Sequence, residues 1–135
     1  MAGLNIEILT PFGKIYTDEI KSCIIPGMLG QFQVLKDHAS LLAAVDIGMI
    51  TIEEKSGKKI ALATSGGYCE VDNNNVKLIV ESAEKADKIS IERAKNAKTR
   101  AEERLCSRQT GMDMDRAKVA LARALNRLKI AGLKI

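Results

Sequence analysis

Six arginines hold most of the chemistry this sequence offers. Arg93, Arg100 and Arg104, and again Arg116, Arg123 and Arg127, recur at spacings of seven and four residues, which puts each trio on one helical face. A guanidinium stays charged throughout the physiological range and presents a planar fork of donors, so it recognises carboxylates and phosphates rather than moving protons. From Lys85 onward fourteen basic residues face six acidic ones, a net charge of +8, whereas residues 1–84 carry −4. A solvated face is the ordinary use of such stripes; a partner with acidic groups is the sharper one.

Other reactive residue types are sparse and badly spaced for catalysis. His38, the only histidine, has no cysteine or second histidine in sequence reach, so a dyad or metal site would need ligands brought in by the fold. A local hydrogen bond is its expected use. Cys23, Cys69 and Cys106 are odd in number and lack zinc or redox spacing; the first two are expected as buried thiols in strands. Ser65-Gly66-Gly67 has the look of a phosphate cradle, but Tyr68 to Val71 reads as a strand, and a phosphate loop needs the amides of a following helix. No paired carboxylates or nucleophile motif stands out. The chain is expected to be non-catalytic and to bind no metal.

The elements that position these residues fall into two parts. Ala94, Ala97, Ala101 and Leu105, then Ala117, Ala120, Leu121, Ala124, Leu125 and Leu128, follow helical periodicity. Ser107 to Gly111 breaks the pattern, and Asp113 stands at the N-cap of the second helix. An antiparallel two-helix hairpin with a mostly alanine seam is implied, weakly docked because alanine buries little apolar surface at roughly 25 cal/mol per Å².

Before residue 86 the period is two. Leu4, Ile6 and Ile8 alternate with polar residues ahead of a Thr10-Pro11-Phe12-Gly13 turn, and Ile20, Ser22 and Ile24 continue to Pro26-Gly27. Gln31 to Leu35 is a further strand, and Asp37 to Val45 reads as loop. Lys55-Ser56-Gly57-Lys58 and Asp72-Asn73-Asn74-Asn75 are hairpin turns between further strands. The fold class is therefore α+β: an N-terminal antiparallel β-sandwich of short strands over residues 1–86, then a helical hairpin over 87–135. With 46% hydrophobic residues the chain supports a core. It has neither a run of roughly 18 apolar residues nor the flanks of a signal peptide, so a reducing compartment is expected.

Several pieces in this order carry a resemblance. Thr10-Pro11, Ile25-Pro26-Gly27-Met28-Leu29-Gly30, Val34-Leu35-Lys36-Asp37-His38-Ala39, Asp46-Ile47-Gly48, Ser65-Gly66-Gly67-Tyr68-Cys69-Glu70-Val71, Ala83-Glu84-Lys85-Ala86-Asp87, Arg93-Ala94 and Arg123-Ala124-Leu125-Asn126-Arg127-Leu128-Lys129 together resemble the epsilon subunit of bacterial and chloroplast F-type ATP synthases. The resemblance spans essentially the whole chain and implies a ten-stranded sandwich with a helical pair.

In function it implies a non-catalytic rotor part of a proton-translocating enzyme. The sandwich would grip the gamma subunit and sit on the c-ring through Met28, Leu29, Gly30, Gln31 and His38. The mobile helical domain would extend along gamma and restrain ATP hydrolysis in the alpha and beta head, with Arg116, Arg123 and Arg127 meeting an acidic segment of beta. The chain would be peripheral on the cytoplasmic face of the bacterial plasma membrane or, alternatively, on the stromal side of the thylakoid, reaching the membrane only through the complex.

No cofactor is implied beyond ATP as a weak regulatory ligand. By resemblance its site draws on Glu84, Ile89, Arg93, Ala94, Arg100, Arg123 and Arg127. Family members that bind ATP there carry Ile-Asp-x-x-Arg-Ala, whereas this chain has Ile89-Ser90-Ile91-Glu92-Arg93-Ala94, and serine supplies no carboxylate. Gln33 and Lys36-Asp37 also depart from the family pattern near the ring. The rival class, a nucleic-acid binder with a basic helical tail, fits the charge. It fails on stacking: Phe12, Tyr16, Phe32 and Tyr68 all lie in the acidic part, leaving the basic hairpin nothing to place against bases.

Overall fold

In the computed structural model, which describes residues 3–107 and 113–133, the alternation of the first strand sets the geometry. Leu4, Ile6 and Ile8 of β1 (Leu4–Thr10) are buried, while the intervening residues face outward. Then come β2 (Gly13–Gly27), β3 (Gly30–Leu35), β4 (Leu41–Val45), β5 (Gly48–Glu54), β6 (Lys59–Thr64), β7 (Gly67–Asp72), β8 (Asn75–Val80) and β9 (Ala83–Lys85). A 3-10 turn at Ala86–Lys88 leads to α1 (Ile91–Ser107) and α2 (Met114–Ile130).

The strand order is β1-β8-β7-β4-β2-β5-β6-β9, with β3 beside β2 and β1 pairing β2 as well. The length of β2 makes this closure possible. Its first half pairs β1, from Gly13 opposite Thr10 to Ile20 opposite Leu4, and its second half pairs β3 and β5 and touches β4 at Gly27. The register shifts between Ile20 and Ser22, an irregularity of the kind that bends a strand from one layer to the other. Between the layers lie Ile6, Ile8, Ile25, Val34, Ile50, Ile52, Leu62 and Leu78, all essentially inaccessible. Burying each such side chain contributes about 1.5–3 kcal/mol.

Three details differ from the sequence reading. Leu41–Val45, expected as loop, is a strand paired with β7 from Leu41 opposite Val71 to Val45 opposite Gly67. Its Leu-Leu-Ala-Ala-Val run shows no alternation, and cross-strand packing rather than intrinsic preference makes it a strand. Nine strands are formed among the described residues, one of them fifteen residues long. The sheet is antiparallel except that β1 and β8 run parallel.

Both expected hairpin turns are present. Asn73 and Asn74 have φ of 46° and 63° and join β7 to β8 through a two-residue loop, the conformation asparagine tolerates best among residues with a side chain. Gly57, at φ 92°, completes the Lys55–Lys58 turn, which is closed by the Glu54 amide donating to the Lys58 carbonyl at 2.8 Å. Gly66-Gly67 lead into β7, and a Cβ on Gly67 would lie 2.1 Å from the Ile79 carbonyl oxygen. These glycines thus serve close packing of strands.

The hairpin seam is alanine, as its spacing required: Ala94, Ala101, Ala117 and Ala124 are buried between the helices. The Ser90 hydroxyl accepts from the Arg93 amide at 3.2 Å, and Asp113 caps α2 by accepting from the Arg116 amide at 3.0 Å. Of the expected break at 107–111, Ser107 closes α1 and the remainder lies outside the described residues.

Candidate functional site

The register of α2 places four residues on the face toward the sandwich, at Arg123, Asn126, Arg127 and Ile130. Ile130 is the apolar anchor, packed on Ala61, Ala63, Ala86 and Ile89 with Met49 and Ala131 beside them. Beside it the Asn126 amide donates to the Gly48 carbonyl at 2.9 Å, and the Gly132 amide donates to Ala86 at 3.0 Å. One turn earlier in the helix the contact is ionic. Arg127 Nε lies 2.8 Å from Glu84 Oε1, with a second bond of 3.1 Å from the guanidinium to Glu84 Oε2. Arg123 meets Glu81 Oε2 at 2.7 Å. The Nε groups of both arginines are enclosed without a well-aligned hydrogen bond, so the 2.8 Å contact at Arg127 is a charge contact off the N–H direction.

Of the residues expected around a nucleotide, this junction unites Glu84, Arg123 and Arg127, with Ile89 in the apolar patch alongside. Ala94 is fully buried in the seam. Arg93 and Arg100 are exposed on α1, and neither makes an ion pair among the described residues. Arg116 is exposed in the first turn of α2. A separate cleft of about 380 Å³, lined by Lys58, Lys59, Lys85 and Leu133 among others, includes none of these residues. Glu81, Asn126 and Ile130 were not singled out by sequence reasoning. The only available signal was that Glu81 and Glu84 are three apart while Arg123 and Arg127 are four apart.

Of the residues expected at the ring, Met28 and Leu29 form the turn between β2 and β3, Gly30 and Gln31 open β3, and His38 lies beyond the opposite end of that strand. The Met28 amide donates to Ala44 at 2.9 Å, which leaves the Met28 side chain 61% exposed and Leu29 wholly so; Gly30 and Gln31 are exposed beside them. His38 is half-buried, its Nδ1 2.6 Å from the Ala39 carbonyl oxygen. A carbonyl only accepts, so Nδ1 carries the proton there. A second apolar surface had no sequence signal. Tyr68 lies opposite both Ala44 and Ile79 across the ladders, and Ile79 lies opposite Leu9. With Leu42 two residues from Ala44, they form a stripe on the outer face in which Leu42, Tyr68 and Ile79 are 74%, 62% and 53% exposed. Contiguous exposed apolar side chains on that scale mark interaction surfaces.

Two of the three thiols are held inert by burial, whereas Cys106 on α1 is exposed. Burial raises the Cys23 thiol from about 9 to about 12, with a further push from Cys69, and burial raises Cys69 to about 11. Tyr16 rises to about 12 through burial and then the nearby Glu54 and Asp18 charges. Among the described residues no group of three His, Cys, Asp or Glu could hold a metal ion, and no helix is long and apolar enough to cross a membrane.

Residues 3–86 match the family described as ATP synthase, Delta/Epsilon chain, beta-sandwich domain, and residues 87–132 match its long alpha-helix domain. The chain belongs to the epsilon family of ATP synthase chains. Its relatives include the ATP synthase epsilon chain of Desulforamulus reducens, 40% identical over 127 residues that cover 94% of this chain and 96% of the relative. That of Moorella thermoacetica is 39% identical and covers 98% of each. Fold similarity extends further than sequence. A chain in the Euglena gracilis mitochondrial ATP synthase assembly of OSCP, F1 and c-ring superposes with a TM-score of 0.80 at 20% identity, covering 93% of this chain and 79% of that one. The fold of this epsilon-family chain therefore persists where most of its side chains have changed.

Proposed function

We propose that this chain is a non-catalytic central-stalk subunit of a proton-translocating F-type ATP synthase. It transmits c-ring rotation to the catalytic head and restrains ATP hydrolysis through α1 and α2. The observation that carries the reading, beyond family membership, is the presence on the sandwich of two separate groups of exposed apolar side chains, at Met28-Leu29 and across Leu42, Tyr68 and Ile79. A torque-transmitting part needs more than one grip. In this reading the turn meets the c-ring together with Gly30 and Gln31 at the start of β3 and His38 past its far end, and the stripe meets gamma. The complex sits at the cytoplasmic face of the membrane, and this subunit reaches the bilayer only through it.

The hairpin supplies the restraint. Arg116, Arg123 and Arg127 meet an acidic segment of beta when α1 and α2 leave the sandwich, and charge complementarity favours that exchange. Replacing all three with alanine is expected to raise ATP hydrolysis in the assembled complex while leaving subunit composition intact. Unchanged hydrolysis in a correctly assembled variant would falsify the restraint.

ATP is a weak ligand of the docked hairpin in this reading. Ser90 caps α1 but offers no carboxylate, and loss of one charged hydrogen bond costs on the order of 1.5–3 kcal/mol, one to two decades in affinity. Calorimetric titration is expected to give a dissociation constant of roughly high-micromolar magnitude or weaker. A low-micromolar value would show that Ser90 is no handicap.

A further inference from the structure

Arg123 and Arg127 are not waiting for an anion in this structure, because each already holds a carboxylate of its own chain. Glu81 lies just after β8 and Glu84 within β9, so both carboxylates stand along the sandwich edge that α2 crosses. Along α2 the two arginines are one helical turn apart, and the rungs form at 2.7 Å and 2.8 Å. The rungs are unequal. Arg127 and Glu84 have side-chain exposures of 26% and 35%, whereas Arg123 and Glu81 have 43% and 67%. The outer pair is thus open to solvent and to competitors, and the inner one is sheltered.

The apolar contribution to docking is confined to one patch. One isoleucine, Ile130, lies over three alanines and Ile89, and the seam between the helices does nothing to hold them to the sandwich. With so few contacts holding α2, removing the charge pairing is a readable change in how firmly it docks.

We propose that Glu81 acts as an internal ligand of Arg123, completing with Glu84 and Arg127 an ion-pair clamp that docks α2 on the sandwich with no bound anion. Glu81 is then a specificity determinant. A polyphosphate must displace it to reach Arg123, and its negative charge opposes approach to the pair as a whole. An acidic protein segment competes for the same two arginines, so docking and capture by such a segment exclude one another. The part of this inference that concerns ATP rests on the ligand reading above; the clamp itself does not.

The test uses the full-length chain and reads docking at the Gly132 amide, whose bond to Ala86 exists only with the hairpin in place, and at the Ile130 methyls. The Glu81→Gln/Glu84→Gln variant is expected to raise Gly132 hydrogen exchange by roughly three- to tenfold at low salt. The native chain should move part of the way to that rate in about 0.5 M salt, which screens the exposed Arg123–Glu81 pair more than the sheltered Arg127–Glu84 pair. The charge swap Glu81→Arg/Arg123→Glu should restore slow exchange, which no purely steric role would do. Amides of Ile6 and Leu78 report whether the sandwich stays folded. Exchange at Gly132 unchanged by the double variant, or a swap that fails to rescue with those core amides still protected, overturns the clamp. Added ATP should slow Gly132 exchange in Glu81→Gln more than in the native chain. If Glu81→Gln loosens the hairpin and ATP restores nothing, the clamp is upheld and the ATP reading alone falls.

Discussion

At the scale of single residues, buried thiols give the sandwich a pH dependence whose sign is fixed. Cys23 and Cys69 are 1% and 0% exposed, with pKa values lifted from about 9 to about 12 and about 11. Above pH 9 the unfolded chain loses these protons while the folded one keeps them. Stability contributed below pH 9 is therefore lost as pH rises toward the folded values. At pH 10.5 the loss is about 2 kcal/mol per thiol. Urea midpoints measured at pH 7.5 and pH 10.5 should fall apart less for Cys23→Ala/Cys69→Ala than for the native chain; equal drops would mean that other groups govern the alkaline limb. The burial of these thiols was legible in their strand positions. The ion partners of Arg123 and Arg127 were not, because residues about forty positions away supply them.

At the scale of elements, packing distances separate glycines and anchors that matter from those that do not. Gly67 opens β7 where the Ile79 carbonyl passes too close for any side chain, so Gly67→Ala must push β7 and β8 apart. A loss of about 3 kcal/mol or more is expected, read as a lower urea midpoint for the sandwich transition, and a loss below about 1 kcal/mol would show that the strands yield easily. Ile130 is the contrasting case. Ile130→Ala removes the main apolar contact of α2, costing about 2–5 kcal/mol if confined to a rigid site. The hairpin is therefore expected to release while the sandwich melts unchanged, separable by near-identical core amide exchange and faster exchange at Gly132. The two helices were legible from their alanine spacing, since burial at every third and fourth residue follows from helical pitch. β4 was not, because its run of small and apolar residues has no period.

At the scale of the whole molecule, the sandwich core and the hairpin seam are separate apolar bodies joined by a thin patch around Ile130. A chain ending at Ser90 keeps all nine strands and is expected to fold alone, with far-ultraviolet circular dichroism of a β protein and cooperative melting. An unfolded product would show that the helices are needed to complete the core. The exposed Leu42, Tyr68 and Ile79 stripe belongs to this scale too. Its members come from three strands brought into register by β7, and assembly with a neighbouring chain is the use such a surface supports.

Legible from the chain alone were the two-part plan, the hairpin turns at Lys55–Lys58 and Asp72–Asn75, the helix cap at Asp113, the alanine seam and the burial of Cys23 and Cys69. These all depend on residues within a few positions of one another, or on a period that local geometry imposes. Folding in three dimensions was needed to establish that β2 bends to close the sheet on itself, that β1 and β8 run parallel, that Leu42, Tyr68 and Ile79 share a face, and that Glu81 and Glu84 take up Arg123 and Arg127. Each of those joins groups distant along the chain, and which of many compatible carboxylates or apolar residues meets a given partner follows from how the strands and helices pack.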